Sequence, residues 1–89
     1  MKAIITVLGT DRPGIIAEVS AKLYEHNINI LDISQTILQN YFTMVMLVDL
    51  TGMKASYKEM TDVLNRTAEA IGEEIRMQRS EIFDAMHRA

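Results

Sequence analysis

The length, composition and charge of the chain exclude several classes of protein. Its 89 residues, 48% of them hydrophobic, suit one domain that buries roughly two-thirds of its unfolded surface at most. Twelve acidic and nine basic residues give a net charge of −3, which repels a nucleic-acid backbone, and the basic residues form no cluster. The chain has no cysteine, so disulfides and thiolate chemistry are excluded and a reducing compartment is expected.

No segment of the sequence predicts a membrane span or a secretory signal. The longest apolar run, residues 44–48, is far too short to cross a bilayer, and the N-terminus lacks the basic and then apolar layout of a signal peptide. We therefore expect a cytoplasmic protein that binds neither nucleic acid nor membrane.

A short loop joins the first predicted strand to the first predicted helix. Residues 2–8 are apolar on both faces, which favours a central or doubly covered strand. The helix shows apolar residues at helical spacing and is predicted to end near Asn27; its apolar positions are Ile15, Ile16, Val19 and Leu23. The loop between them, residues 9–14, contains Pro13 and two glycines. A helix that begins this way directs free N–H groups and its positive dipole end outward, as in an anion site.

The next segment predicts two strands joined by a tight turn. The second strand starts at Asn27, and its alternation slips near residue 30, which indicates a bulge. Gln39 and Asn40 form a hairpin turn. The third strand, residues 41–50, is apolar on both faces and is therefore expected to be central.

The last segment predicts a helix, a strand and a terminal helix. Ser56 and Glu59 form a capping box, and Gly72 is the expected stop signal of this helix. Residues 74–78 alternate as a fourth strand. Ser80 then caps a short helix whose apolar residues are Ile82, Phe83 and Met86.

The order of these elements predicts the topology β-α-β-β-α-β followed by a helix. In this arrangement an antiparallel sheet carries both main helices on one face and leaves the other face open. Because the third strand is apolar on both sides, either the terminal helix or a second subunit must cover the open face. We therefore expect a homodimer.

Several segments of the chain resemble the ACT domain, a small-molecule-sensing module of amino-acid metabolism. They are residues 11–14 in the first loop, residues 15–23 in the first helix and residues 27–30 at the start of the second strand. The terminal segment 81–88 is similar to the last helix of small stand-alone ACT proteins. The resemblance implies a ferredoxin-like βαββαβ sandwich with an antiparallel four-stranded sheet, formed by an ACT domain over residues 1–79, and a C-terminal helical extension over residues 80–89.

The resemblance also implies where a ligand binds. In this family two domains commonly lie side by side through the edge of the second strand, and an amino acid binds between the first loop of one domain and the second strand of the other. The loop would contribute the Asp11 side chain, with Arg12 at the rim of the site, and Asn29 would come from the partner subunit. The implied ligand-binding residues are Asp11, Arg12, Pro13, Gly14, Ile15, Asn29 and Ile30.

Two of these residues also have structural interpretations. Asp is a preferred N-cap, so the Asp11 side chain is expected either to cap the first helix or to contact a ligand. The Asn29 side chain either satisfies a backbone group at a strand edge or contacts the ligand. Both alternatives remain open for both residues.

The remaining polar residues predict no catalytic or metal-binding residue. Asp84 and His87 share a helix face but are too few for a metal site, and His26 is explained by the helix dipole. Glu73 and Glu74 alternate across a strand and do not converge as an acid–base pair. We expect no cofactor.

Two functions are consistent with the sequence. The first is a non-catalytic regulatory module that binds an amino acid at a homodimer interface. The alternative is a ligand-independent interaction or dimerisation module that acts on a metabolic enzyme or regulator. Acylphosphatases share this fold and use an Arg and an Asn, for which Arg12 and Asn40 are candidates, but the glycine-rich phosphate loop of that family is missing. We therefore do not expect an enzyme.

Overall fold

The computed structural model describes residues 1–80 and contains the predicted elements in the predicted order. They are β1 (Lys2–Thr10), α1 (Ile15–Glu25), β2 (Asn29–Leu38), β3 (Tyr41–Asp49), α2 (Tyr57–Ile71) and β4 (Glu74–Arg79). The strands form one antiparallel sheet in the order β2-β3-β1-β4. This is the expected ferredoxin-like sandwich. The predicted terminal helix falls on residues 81–89, outside the described residues.

The two inner strands, β1 and β3, have different surroundings on their two faces. Ala3, Ile5 and Val7 of β1 are fully buried against the helices. Residues of the opposite face, such as Ile4 and Val45, are only half-buried within this part of the chain. The sheet order places β3 between β2 and β1, so the prediction that β3 is central is confirmed.

The edge strand β2 contains the predicted irregularity. Its pairing with β3 shifts between Ile30 and Asp32, which is the expected bulge. The strand begins at Asn29 rather than Asn27, because Asn27 adopts a left-handed conformation, with φ of 59°, at the end of α1. There its backbone N–H donates to the carbonyl of Tyr24 at 3.0 Å, so Asn27 closes the helix instead of pairing in the sheet.

The second helix, α2, begins and ends as the sequence predicts. The Ser56 hydroxyl accepts from the Glu59 N–H at 3.1 Å, and the Glu59 carboxylate accepts from the Ser56 N–H at 3.1 Å. This reciprocal pair is the predicted capping box. Gly72 ends the helix with a φ of 71°, a left-handed conformation that glycine adopts without strain.

One hydrophobic core lies between the sheet and the two helices. Met44 and Met46 from β3 and Met60 from α2 are fully buried there, and Met77 packs against them from β4. These four methionines therefore fill the core, where their unbranched side chains adapt to irregular gaps. Across residues 1–80, no helix combines the length and the apolar composition that a membrane crossing requires.

Candidate functional site

The loop that joins β1 to α1, residues 11–14, lies on the surface at the hairpin end of the sheet. Its four residues are all exposed. The backbone N–H of Asp11 donates to the carbonyl of Asn40 at 2.8 Å. This bond anchors the start of the loop to the β2–β3 turn and leaves the Asp11 side chain on the exposed surface.

The N-terminus of α1 presents free backbone donors beside this loop. Gly14 is the N-cap, with a left-handed φ of 91°, and no side chain caps the helix. The interpretation of Asp11 as the N-cap is therefore wrong, because the backbone at Gly14, rather than an Asp side chain, forms the helix start. The first helical bond runs from the Glu18 N–H to the Gly14 carbonyl at 2.9 Å, so the N–H groups of residues 15–17 face outward.

Arg12 connects the loop to the end of α2. Its guanidinium Nη1 donates to the carbonyl of Ile71, the last residue of that helix, and it also lies close to Gly72. A cation at this place stabilises the C-terminal carbonyls of the helix. Arg12 therefore lies at the rim of the loop with its positive charge turned toward the α2–β4 corner.

The two isoleucines of the implied site contribute mainly to the core. Ile15 is only 2% exposed and Ile30 packs against the core from β2. The Ile15 side chain is therefore not available at the surface, although its N–H is among the free donors of α1. The apolar side chain that projects beside the loop is Ile16, which is 38% exposed. The helical spacing marked Ile16 only as a core position.

Asn29 lies at the opposite end of the sheet from Asp11. Asn29 pairs with Asp49 at the end of β3, whereas Thr10, which precedes Asp11, pairs with Tyr41 at its beginning. The length of β3 separates these two positions by about 26 Å at the usual rise per residue. Within one chain, therefore, Asn29 and the loop do not form one site.

Asn29 lines a cleft of its own. The cleft has a volume of about 390 Å³ and is lined by Tyr24, Asn27, Ile28, Asn29, Asp49 and Gly52. The Asp49 carboxylate accepts hydrogen bonds from the Thr51 hydroxyl at 2.6 Å and from the Thr51 N–H at 3.0 Å. These bonds lower the pKa of Asp49, so the cleft contains a carboxylate that stays ionised.

Glu73 is a buried acidic residue near this loop that the sequence pattern did not mark as a candidate. It is only 9% exposed, and neither carboxylate oxygen has a hydrogen-bond partner among residues 1–80. The carboxylate lies against Gly9, at the place where a side chain on that residue would be. Burial raises the pKa of Glu73, while the charge of Arg12 lowers it and that of Asp11 raises it. Gly9 was the available signal, because it continues the buried alternation of Ala3, Ile5 and Val7 without a side chain.

The acylphosphatase alternative gains no support from the position of Arg12. Asn40 is adjacent to the loop through the bond from Asp11, but the Arg12 guanidinium is bound to the carbonyl of Ile71. Within residues 1–80, no three His, Asp or Glu residues form a group that could hold a metal ion.

Comparison with known proteins agrees with this fold and extends along nearly the whole chain. The ACT domain family model matches residues 2–78. The UPF0237 protein of Methanopyrus kandleri is 46% identical over 87 residues, which are 98% of this chain and 97% of that protein. An ACT domain protein from Streptococcus pneumoniae superposes with a TM-score of 0.82 at 41% identity and covers 98% of both chains.

A more distant neighbour is a subunit with a regulatory role. The regulatory subunit of aspartate kinase from Thermus thermophilus superposes with a TM-score of 0.66 at 28% identity, over 86% of this chain and 50% of that one. The family match, the full-length relative and the shared sheet topology agree. The chain belongs to the ACT domain family of regulatory small-molecule-binding modules.

Proposed function

We propose that this protein is a non-catalytic regulatory module that binds an amino acid at the interface between two copies of the chain. The observation that carries the proposal is the edge strand β2. All its residues except Ile30 are exposed, and several are large and apolar, including Leu31, Ile33, Ile37 and Leu38. A long apolar edge strand is a template for pairing with another strand.

A second copy of β2 is the partner that fits this edge. Two β2 strands paired antiparallel about a two-fold axis would satisfy the free backbone groups of both edges and cover apolar side chains such as Ile37, which is 55% exposed. The same pairing places the start of one β2 beside the end of the other. Asn29 of a second copy then lies at the Leu38 end of the first chain, which is also the end that carries Asp11.

The chemistry of this shared site suits an α-amino acid. The ligand carboxylate needs hydrogen-bond donors and a positive potential, which the N-terminus of α1 and Arg12 supply. The ammonium group needs acceptors, and carboxylate and amide oxygens are present on both sides of the interface. The aspartate kinase regulatory subunit, with the same fold, acts in regulation, which supports a signalling role in which the ligand changes the dimer.

Sedimentation equilibrium and a thermal screen test this proposal. We expect a dimer over a wide concentration range, and an increase in the unfolding midpoint with one or a few of the proteinogenic amino acids. A ligand at a hundredfold its dissociation constant adds about 2.7 kcal/mol per site, and each kcal/mol moves the midpoint of so small a domain by about 4–8 °C. A monomer at all concentrations, or no shift with any amino acid at millimolar concentration, contradicts the proposal.

The ligand-independent interaction module remains the second candidate. It is favoured by a groove of about 270 Å³ between α2 and the outer strand β4, whose lining includes Leu64, Ile75 and Met77. Such a groove suits a segment of a metabolic enzyme or regulator. The two candidates differ in the thermal screen, because a dimer that no amino acid stabilises supports the interaction module alone.

A further inference from the structure

Glu73 is the buried residue that the fold leaves unsatisfied. Within residues 1–80, its two carboxylate oxygens are the buried side-chain polar atoms that lack a hydrogen-bond partner. A buried polar group without a partner destabilises a protein, and an ionised one does so most strongly. The described core gains nothing from a carboxylate at this position, so a partner for it is to be sought outside residues 1–80.

The surroundings of Glu73 place this carboxylate at the proposed ligand site. It lies against Gly9, two residues before the β1–α1 loop, and the charges that act on it belong to Asp11 and Arg12 of that loop. The free N–H groups of residues 15–17 begin α1 at the other end of the same loop. An acceptor and a set of donors therefore flank one short segment.

We propose that Glu73 accepts hydrogen bonds from the ammonium group of the bound amino acid, while the start of α1 and Arg12 hold the ligand carboxylate. This inference rests on the proposed function and assigns its polar contacts. Both charged ends of the ligand then bind to one chain, and Asn29 of a second copy is left to contact the ligand side chain. Glu73, rather than Asp11, is the principal acceptor.

Burial explains why Glu73 is the stronger acceptor. Asp11 is exposed, so water screens its charge and already solvates its oxygens. The Glu73 carboxylate is buried and has no partner in the described part of the chain, and a charge-assisted bond in such surroundings is stronger than one at the surface. An inorganic cation fits less well, because calcium takes six to eight oxygen ligands and magnesium requires a complete octahedron.

Because Glu73 is only 9% exposed, its surroundings must rearrange before a ligand reaches the carboxylate. Two hydrogen bonds tie the loop to its neighbours, one from the Asp11 N–H to Asn40 and one from the Arg12 guanidinium to the Ile71 carbonyl. A ligand carboxylate is a better acceptor for a guanidinium than a neutral carbonyl. Arg12 therefore exchanges Ile71 for the ligand, which frees the loop from the end of α2. Ligand binding is in this way coupled to the contact between the loop and α2.

The substitution Glu73→Gln tests the assignment, since it keeps the shape and removes the charge. Glu74→Gln is the matched control, because the adjacent Glu74 is exposed and pairs with Arg76 at 2.6 Å. The probes are the amino acid that stabilises the wild type most in the thermal screen and its N-acetyl analogue, which has no ammonium group. Binding is measured by calorimetry, and circular dichroism confirms that each variant is folded.

The expected result is a loss of affinity by at least about tenfold in Glu73→Gln, since hydrogen bonds to charged groups contribute about 1.5–3 kcal/mol. Glu74→Gln keeps the wild-type affinity, and the preference for the amino acid over its N-acetyl analogue shrinks only in Glu73→Gln. If Glu73→Gln does not fold, Glu73→Asp replaces it, because the shorter side chain moves the carboxylate away from the ligand. The same loss of affinity and the same smaller preference over the N-acetyl analogue are expected.

The failure of this inference and the failure of the proposed function give different results. Wild-type affinity in Glu73→Gln, or an unchanged preference over the N-acetyl analogue, overturns the assignment of Glu73 and leaves amino-acid binding intact. A wild-type protein that binds no amino acid overturns both.

Discussion

The carboxylate of Glu73 occupies the space that a side chain at Gly9 would fill. Leu8 pairs with Glu74 in the sheet, so the backbone of Glu73 comes opposite Gly9 at the point where β1 and β4 meet. Gly9 faces the helices, as Val7 does, and only a residue without a Cβ leaves room there. The two residues are therefore in direct contact, although they lie far apart in the sequence.

The substitution Gly9→Ala is expected to expel the Glu73 carboxylate from this space. The new Cβ overlaps Oε2, which is the end of a flexible side chain that turns toward solvent. The free energy of unfolding changes by less than about 1 kcal/mol, because release of an unsatisfied buried group offsets the cost of repacking. A nuclear magnetic resonance titration shows the pKa of Glu73 returning toward its ordinary value. A Glu73 pKa that remains raised would contradict the prediction.

The charge of Glu73 also predicts a pH dependence of stability. Burial raises its pKa above the ordinary value of 4.5, so as pH rises the unfolded chain loses this proton before the folded one. Wild-type stability therefore falls with increasing pH between these two pKa values. In Glu73→Gln this contribution is absent. The difference in the free energy of unfolding between the variant and the wild type grows with pH and reaches about 1 kcal/mol.

Urea unfolding of both proteins from pH 4 to pH 9 measures this difference. Subtraction of the two curves removes the contributions of other groups, such as Asp49, whose lowered pKa acts in the opposite direction because it favours the folded state as pH rises. Parallel curves for wild type and Glu73→Gln would show that burial does not perturb Glu73.

Arg12 is expected to affect both the end of α2 and the titration of Glu73. Arg12→Ala removes the donor to the Ile71 carbonyl, which costs about 1 kcal/mol of stability. It also removes the positive charge that lowers the pKa of Glu73, so that pKa rises further above the wild-type value. Urea unfolding measures the first effect and resonance titration the second. Arg12→Lys keeps the charge and is the control, and an equal shift in both variants would be inconsistent with a charge effect.

The fold follows from local signals that act within a few residues of each other. The capping box at Ser56 and Glu59 and the stop at Gly72 each depend on backbone groups nearby, so the sequence alone predicts them. The bulge near Ile30 is predictable for the same reason, because it interrupts an alternation that lies in the sequence itself.

The candidate site depends on contacts between distant segments, which the sequence pattern does not contain. Glu73 and Glu74 look alike as alternating residues of a strand, and only Gly9, far away in the chain, makes a buried position for one of them. The separation of Asn29 from Asp11 likewise depends on the strand order of the folded sheet. The glycine and proline of the loop correctly predict a helix start, but of the two interpretations left open for Asp11 the capping one is wrong, because Gly14 forms the cap.

Gly14 is expected to tolerate no ordinary side chain without a cost in stability. Its φ of 91° lies in the left-handed region, and within residues 1–80 a Cβ at this position would meet no atom closer than 4 Å beyond Gly14 and its chain neighbours. The cost of Gly14→Ala is therefore backbone strain, about 1–2 kcal/mol, with no clash. Gly14→Asn costs less, because Asn adopts left-handed conformations more readily. Urea unfolding compares the two variants, and equal stability of both would refute the strain argument.

The dimer is expected to depend on the edge of β2. Ile37→Lys places a charge among the exposed apolar residues of this edge, which discourages strand pairing. Leu8→Lys is the matched control, because Leu8 is similarly apolar and 40% exposed but belongs to the inner strand β1. Sedimentation equilibrium should show a dimer dissociation constant for Ile37→Lys that is at least about tenfold higher than that of the wild type. Leu8→Lys should keep the wild-type dissociation constant. The reverse result would place the interface on the open face of the sheet, in which case Asn29 of a second copy would not reach the loop.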